Sequence, residues 1–319
     1  MIKKMWSRRS RQCFVWALFM SFGASGCSPA SLENTPFMGQ SSEELVVRAT
    51  EEDWGLVEGR IKEAYDQELD KLSMGELVAQ IGLTFLGTPY ASQTLDPIGD
   101  EALVVELETL DCVTFVETVL ALARVVNFLD VDDYRRMSKE QVRNAYSERL
   151  VSIRYREGQL DGYASRLHYF SEWIEDNSKL GLVEEVVSGH LATTETEPID
   201  FMTTHPGAYW QLRNNPALVA EIQEMEANLS AKPRPYVREK DVDEIEPDLL
   251  NGDIIAATSS IEGLDVAHTG IAIWKEGRVH LLHAPLAGGV VQVSERPLAE
   301  RILALGGQDG VMIARPIGR

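Results

Sequence analysis

The stretch LDCVTFVETVLALAR, residues 110–124, decides the fold that this sequence predicts. Residues 113–129 are apolar almost all round, and a single polar stripe is formed by Thr114, Glu117, Thr118 and Arg124. A helix of this kind usually forms the buried core of its domain. Asp111 is a favourable N-cap residue, so the pattern predicts that Cys112 opens this helix.

Cys112 is one of three cysteines in the chain. Cys13 lies in a predicted leader peptide, and Cys27 has the setting of an acylated N-terminus. The single remaining thiol of an exported chain cannot form an intrachain disulfide, so Cys112 is either a small buried hydrophobe or a nucleophile. A helix N-terminus lowers the pKa of a thiol and favours the thiolate, which predicts a reactive Cys112.

Residues 1–26 have the order of a lipoprotein signal peptide. A basic head precedes an apolar run at residues 13–22, which is too short to span a bilayer as a mature helix. Ala-Ser-Gly-Cys resembles a bacterial lipobox, with Ala24 at the position that Leu usually occupies. Cys27 is therefore the predicted lipid-attachment residue, and ordinary cleavage without acylation is the alternative. Ser28 in place of Asp fits sorting to the outer membrane, so we expect a lipid-anchored periplasmic protein.

The sequence as a whole is strongly acidic. The formal net charge of the whole sequence is −20, which argues against nucleic acid as a partner because phosphate binding needs Lys and Arg. An acidic surface also repels anionic membranes, so we expect membrane contact through lipid alone. Residues 27–45 are polar and turn-rich and predict a tether, and residues 46–319 predict one catalytic domain.

The order of predicted elements gives the fold class. Helical spacing of apolar residues predicts helices at residues 54–72, 75–85, 113–129, 138–150 and 168–177, and a helical region that ends near residue 229. Extended patterns predict strands at residues 182–188, 254–257, 268–274, 278–284, 290–293 and 311–316, with a helix at 298–305. Helices first and strands later predict an α+β fold, with helices packed on one face of an antiparallel sheet.

The predicted hairpin around Glu276-Gly277 carries two histidines that could serve Cys112. With a two- or four-residue loop, His268 is diagonal to His283, and both side chains share a face roughly 5–8 Å apart at Cβ. That spacing suits a base and the group that orients it. A three-residue loop with a bulge at Gly277 would separate the two histidines, and the sequence leaves both registers open.

A zinc site is the rival interpretation of this histidine pair. The chain contains no H-E-x-x-H motif and no second mature thiol for a cysteine-rich site. His280 and His283 point to opposite faces of a strand and cannot easily share one ion. We therefore expect no metal and no other cofactor.

Five blocks of sequence together resemble one family: GTPY, LDCVTFVETVLALAR, IRYREGQLDGYASRLHYFSEWIEDN, GDIIAATSSIEGLDVAHTGIAIW and LLHAP. In order and across residues 75–316, they are similar to the N-acetylmuramoyl-L-alanine amidase-like branch of the NlpC-type papain-like cell-wall hydrolases. The resemblance implies a papain-like NlpC-type fold, with the nucleophile helix packed on an antiparallel sheet and with extra N-terminal and middle helices.

The resemblance also implies roles for single residues. Cys112 becomes the nucleophile, His268 the general base and acid, and His283 the group that fixes the tautomer of His268. The backbone N–H of Cys112 and the hydroxyl of Tyr90 are candidates for stabilising the oxyanion, with a packed loop aromatic as the alternative for Tyr90. Asp111 is better interpreted as a helix cap than as a catalytic acid.

Substrate contacts are predicted from the branch-specific segment. Arg154, Ser165, Arg166 and Tyr169 lie in it, and Arg binds the carboxylates of a peptidoglycan stem peptide through two parallel hydrogen bonds. Arg166 is the first choice, and a surface ion pair with one of the many acidic residues is its alternative.

The predicted activity is cysteine-dependent cleavage of the amide between N-acetylmuramic acid and L-alanine, with muropeptide fragments as partners. A first alternative moves the bond to the one between D-glutamate and the diamino acid. A second is a lipoprotein that only binds peptidoglycan, and acyl transfer is a minor possibility.

Overall fold

The computed structural model describes residues 45–186 and 189–319, so the predicted signal peptide, Cys27 and nearly all of the predicted tether lie outside the described residues. Residues Leu45–Arg319 form one compact unit. Its helices are α1 (Glu51–Asp66), α2 (Met74–Leu83), α3 (Cys112–Phe128), α4 (Val131–Tyr134), α5 (Lys139–Arg154), α6 (Phe170–Lys179), α7 (Phe201–Thr204), α8 (Pro216–Ser230), α9 (Val242–Ile245) and α10 (Leu298–Ala304).

Its strands form a small parallel pair and a large antiparallel sheet. They are β1 (Val47–Arg48), β2 (Leu103–Val104), β3 (Val183–Glu185), β4 (Ala192–Glu195), β5 (Arg234–Arg238), β6 (Ile254–Ser259), β7 (Val266–Lys275), β8 (Arg278–His283), β9 (Gln292–Val293) and β10 (Gln308–Pro316). Strands β1 and β2 pair in parallel, and the eight-stranded sheet has the order β4-β5-β10-β6-β7-β8-β9, with β3 paired to β10. The predicted α+β class with an antiparallel sheet is confirmed.

Helix α3 is the central helix, as its apolar sequence predicts. Asp111 caps it by accepting hydrogen bonds from the backbone N–H groups of Val113 at 3.0 Å and Thr114 at 2.8 Å. Its side chains from Thr114 to Val126 are all buried. Each fully buried large aliphatic or aromatic side chain contributes about 1.5–3 kcal/mol, so this helix anchors the domain.

The large sheet has an apolar core on both of its faces. One core joins β6 and β7 to helices α1, α2, α3 and α5 through residues such as Ile254 and Ile271. The other joins the opposite faces of the same strands to α9 and α10 through residues such as Ile255 and Ala272. The prediction that helices cover only one face is therefore wrong, because the continuous apolar run of residues 254–257 is typical of a strand that is buried on both sides.

Within residues 45–186 and 189–319, we find no helix with both the length and the apolar character that a membrane crossing requires.

Candidate active site

Cys112 is a partly exposed residue at the N-terminus of α3. Burial of the sulfur raises the pKa of the thiol to about 12, and the adjacent Asp111 carboxylate also raises it. Backbone N–H groups of Thr269, Cys112 and Val113 act in the opposite direction and lower the pKa. The prediction of a lowered thiol pKa is therefore wrong for the resting protein, because burial outweighs the helix N-terminus.

His268 lies on β7 and directly precedes Thr269, whose backbone N–H forms a hydrogen bond to the Cys112 sulfur. Its partner on β6 is Ala257, and the register between the two strands then shifts, so that Thr258 pairs with Val266. A bulge at this point re-aims the neighbouring side chain, which is common beside active sites. The fold thus brings the end of α3 and the start of β7 together.

His268 and His283 are directly hydrogen-bonded. Nε2 of His268 lies 2.7 Å from Nδ1 of His283, and the two rings meet edge to face with centroids 4.9 Å apart. Because this bond occupies Nε2, Nδ1 is the nitrogen of His268 that is left for a proton from the thiol. His283 is buried and His268 is partly exposed.

The register of the hairpin explains why the two histidines meet. Lys275 pairs with Arg278 around a two-residue turn, in which Glu276 has a φ of 53° and Gly277 a φ of 80°. Two positive φ values are the mark of the type I′ turn that suits a hairpin. Of the two registers that the sequence leaves open, the structure has the one that places both histidines on a single face.

Gly270 and His280 are neighbours of the histidine pair that shape the β7–β8 hairpin around it. A Cβ at Gly270 would lie 2.7 Å from the carbonyl oxygen of Leu282 and 2.9 Å from Leu281 Cδ1, so the glycine of the His-x-Gly motif allows the close approach of β7 and β8. His280 has the opposite parity on β8, and its Nδ1 lies 2.8 Å from the carbonyl oxygen of Ser294. His280 therefore belongs to the scaffold of the hairpin.

Both imidazoles are neutral at pH 7. Burial lowers the pKa of His268 to about 3, and the positive charge of Arg301 lowers it further. Burial likewise lowers the pKa of His283 to about 3, with smaller contributions from His268 and Arg301. A neutral thiol beside a neutral imidazole is therefore the resting state, and the proton must move when the sulfur attacks.

Tyr90 lies beside the same sulfur. Burial raises the pKa of its phenol, and the charges of Asp111 and Cys112 raise it further. Its backbone N–H donates to the carbonyl oxygen of Gly289 at 2.7 Å, and the residue pairs with Leu110 in a parallel bridge. These contacts hold a phenolic donor next to the tip of α3.

The two predicted substrate-binding arginines have internal partners. Nε of the buried Arg154 donates to Glu117 Oε2 at 2.7 Å. The buried Arg166 donates to Asp96 Oδ1 at 2.6 Å and to the carbonyl oxygen of Leu95 at 2.7 Å. The structure thus has the ion pair that was the alternative for Arg166, in a buried rather than a surface position.

The other two predicted substrate-binding residues also bond within the protein. Ser165 Oγ donates to the carbonyl oxygen of Gly162 at 2.7 Å. The buried Tyr169 donates its hydroxyl to Glu226 Oε1 at 2.7 Å. These contacts give the four residues structural roles and offer no support for the prediction that they contact substrate.

Sequence reasoning missed Arg301, whose charge lowers the pKa of both histidines and whose own pKa is raised by the charge of Cys112. The residue lies on α10, a short helix that the sequence presents only as amphipathic scaffold. No motif marks it, because its importance comes from where α10 packs.

Comparison with known proteins agrees with this architecture. A model of the N-acetylmuramoyl-L-alanine amidase-like family matches residues 80–305, and the chain belongs to that family. An N-acetylmuramoyl-L-alanine amidase from Bacteroides uniformis is 33% identical over 76% of this chain and 99% of its own, with a TM-score of 0.68.

Two further solved structures are similar. A protein from Bacteroides fragilis with a provisional xylanase name is 37% identical over 73% of this chain and 98% of its own, with a TM-score of 0.65. A protein from Legionella pneumophila is 20% identical over 84% of this chain and 97% of its own, with a TM-score of 0.59, and shares the fold. None of the curated proteins matches this chain.

Proposed function

We propose that this protein is a cysteine-dependent peptidoglycan amidase of the papain-like NlpC type, which hydrolyses the amide between N-acetylmuramic acid and L-alanine in muropeptides. The observation that carries the proposal is the 2.7 Å hydrogen bond between His268 and His283 beside the sulfur-bearing tip of α3. Membership of the amidase-like family supports the choice of bond.

Acylation begins when His268 Nδ1 takes the proton of the Cys112 thiol and the sulfur attacks the lactyl carbonyl carbon. The carbonyl electron pair moves onto oxygen, where the backbone N–H of Cys112 and the Tyr90 hydroxyl donate hydrogen bonds to the oxyanion. When the intermediate collapses, the C–N bond breaks and His268 returns its proton to the amine of L-alanine. The peptide leaves, and a thioester joins the muramoyl group to Cys112.

Deacylation reverses the proton transfers. His268 Nδ1 takes a proton from water as the oxygen attacks the thioester carbonyl, and the carbon–sulfur bond then breaks. Cys112 recovers the proton, and the muramic acid leaves with a free carboxyl group. Throughout, Nδ1 of His283 accepts the Nε2–H of His268 and holds the tautomer that keeps Nδ1 available as the base.

For localisation we propose a periplasmic protein, anchored by lipid on Cys27 to the outer membrane. The basic head, the apolar run and the small residues before Cys27 support this proposal. Mass measurement of the N-terminal peptide from the native host tests it. A diacylglyceryl-modified Cys27 is expected, and a chain that begins at an unmodified residue contradicts the proposal.

The reaction is tested by digesting purified muropeptides with the full-length protein and weighing the products. Free disaccharide supports the amidase, whereas disaccharide that still carries L-Ala-D-Glu supports cleavage between D-glutamate and the diamino acid. If the protein binds muropeptides without turnover, and Cys112→Ala binds them equally, the peptidoglycan-binding alternative is correct.

The cysteine mechanism has its own tests. Alkylation mapped to Cys112 should abolish turnover, and activity that survives complete alkylation of this residue contradicts the mechanism. The proposal requires no cofactor, so EDTA should leave the rate unchanged. Loss of activity with EDTA and its recovery with zinc would instead support a metal site.

A further inference from the structure

Arg301 lies on the same face of the sheet as the two histidines. Residues directly opposite in a sheet share a face, so His268 lies on the side of its partner Ala257. Residues two apart on one strand also share a face, so His283 lies on the side of Leu281. Ala257 and Leu281 belong to the core that packs against α10 through Leu298 and Ile302. Helix α10 therefore covers the histidine-bearing face.

Arg301 also lies at the same end of the sheet as the histidines. Its Nη1 donates to Gln308 Oε1 at 3.3 Å, and Gln308 pairs with Ser259, the last residue of β6. That end of β6 adjoins the first residues of β7, where His268 lies, and His283 is the last residue of β8. The guanidinium is thus placed beside the catalytic pair by both its helix and its hydrogen bond.

No carboxylate of the described residues forms a salt bridge with Arg301, in contrast to Arg315 and Arg278 on strands of the sheet that α10 covers. Arg315 is paired with Asp253 at 2.8 Å, and Arg278 with Asp243 at 2.7 Å. Arg301 is partly buried, and burial lowers its pKa. A partly buried cation normally acquires a counter-charge, so this position is ready to receive an anion from outside the protein.

The proposed substrate offers one class of anion near the cleaved bond. The N-acetylmuramoyl side is neutral, and L-alanine carries no charge once it is linked on both sides. The first ionised group is the α-carboxylate of the next residue, D-isoglutamate. In an extended chain the carboxylate of this residue lies about 7 Å beyond the cleaved nitrogen, which is within reach of a side chain beside the nucleophile.

We propose that Arg301 binds the α-carboxylate of the D-isoglutamate residue of the stem peptide and so selects muropeptides in which this group is not amidated. The proposal rests on the amidase function proposed above. Arg301 is a specificity residue in this account, because a guanidinium offers a carboxylate two parallel hydrogen bonds that it cannot offer to an amide.

The test compares two ligands that differ only at this group: N-acetylmuramoyl-L-alanyl-D-isoglutamate and the corresponding isoglutamine compound. Calorimetric titration uses the Cys112→Ala protein, which prevents turnover. We expect it to bind the carboxylate ligand more tightly than the amide. The double variant Cys112→Ala with Arg301→Gln should bind the carboxylate ligand about 10- to 100-fold more weakly than Cys112→Ala. Its affinity for the amide ligand should be unchanged, so the preference for the carboxylate should disappear. Arg301→Lys should recover part of it.

Arg296→Gln is the matched control, since it removes a positive charge from an exposed position just before the same helix and should change neither affinity. Equal binding of the two ligands by the parent protein, or no binding of either, overturns the role of Arg301. Equal weakening of both ligands by Arg301→Gln also overturns it, because a merely structural residue acts without regard to the carboxylate.

A turnover assay with intact Cys112 separates this proposal from the amidase function. A carboxylate preference in binding without cleavage of the muramoyl amide would refute the amidase and leave the anion site in place. Cleavage of both substrates with equal KM would leave the amidase and remove the anion site. If both proposals hold, Arg301→Gln raises KM for the carboxylate substrate with little change in kcat at neutral pH.

Discussion

Nε2 of His268 and Nδ1 of His283 lie 2.7 Å apart across the β7–β8 hairpin, although the two residues are fifteen positions apart in the sequence. The bond occupies Nε2 of His268 and leaves Nδ1 as the nitrogen that can accept a proton. Loss of this orientation is costly in catalytic dyads and triads, because the wrong tautomer has no free base at the reacting proton.

Replacement of His283 should therefore lower kcat while leaving KM nearly unchanged. We expect a loss of about 100-fold or more for His283→Ala, and a partial recovery in His283→Asn, whose amide oxygen can accept the same hydrogen bond. Steady-state kinetics on muropeptides measures both. His280→Asn, on the same strand with the opposite parity, is the control and should keep its activity. A fall in KM alone, or full activity in His283→Ala, argues against an orienting role.

The pH profile should be flat through the neutral range. The active form needs a neutral His268, and burial lowers its pKa to about 3, so protonation removes activity only as the pH falls toward that value. The thiol pKa of about 12 places the other limit far on the alkaline side. We expect kcat/KM to vary little between about pH 5 and 8. An acid limb centred near pH 6.5 would show that His268 is solvated in the free enzyme.

Asp111 should hold the thiol in its neutral form. Burial is the largest cause of the raised pKa of Cys112, and the Asp111 carboxylate is the second. One oxygen of that carboxylate, Oδ1, accepts all of the capping hydrogen bonds. Asp111→Asn keeps that oxygen and removes the charge, so the thiol pKa should fall and the helix should stay capped. When the rate of Cys112 alkylation by iodoacetamide is measured as a function of pH, the increase in rate should occur at a lower pH in Asp111→Asn than in the parent protein. An unchanged profile with an intact fold contradicts this account.

Removal of the Tyr90 hydroxyl tests its role at the oxyanion. The backbone contacts of Tyr90 with Gly289 and Leu110 do not use the phenol, so Tyr90→Phe should leave the loop in place. Loss of one oxyanion donor typically lowers kcat about 100- to 1,000-fold without a matching change in KM. Unaltered kcat in Tyr90→Phe would assign the ring to packing only.

The buried ion pair between Glu117 and Arg154 should matter for stability. Both side chains are almost completely enclosed, and Nε of Arg154 lies 2.7 Å from the carboxylate. Arg154→Met leaves the buried carboxylate without its partner and should reduce the free energy of unfolding by about 3–5 kcal/mol, measured by urea denaturation.

Two controls define that result. The double variant Glu117→Leu with Arg154→Met should be less destabilised than the single one, because no charge is then stranded. Arg135→Gln breaks an exposed pair with Asp132, in which both side chains are about 70% accessible, and should change stability by less than about 1 kcal/mol. A single variant as stable as the parent contradicts the structural role of Arg154.

Most of the fold was predictable because its signals are local. The cap at Asp111, the apolar stripe of α3 and the apolar run at the start of β6 each lie within a few residues of one another. The packing of α9 and α10 on the second face was not predicted, because an apolar strand sequence indicates burial on both faces but not which elements pack there. The internal partners of Arg154 and Arg166 were not predicted for a related reason, because a sequence shows a charged residue but not the residue that pairs with it.

The sequence alone determined that Cys112 begins a buried helix, that two histidines lie on neighbouring strands, and that the chain resembles one family of cell-wall hydrolases. Only the tertiary structure decided the register that joins His268 to His283, the burial that raises the thiol pKa, and the presence of Arg301 beside them. Local pattern specifies helices and strands, whereas these three properties arise from contacts between residues that are far apart in the chain. Burial and charge act through space, so they exist only once α3, β7 and α10 have packed together.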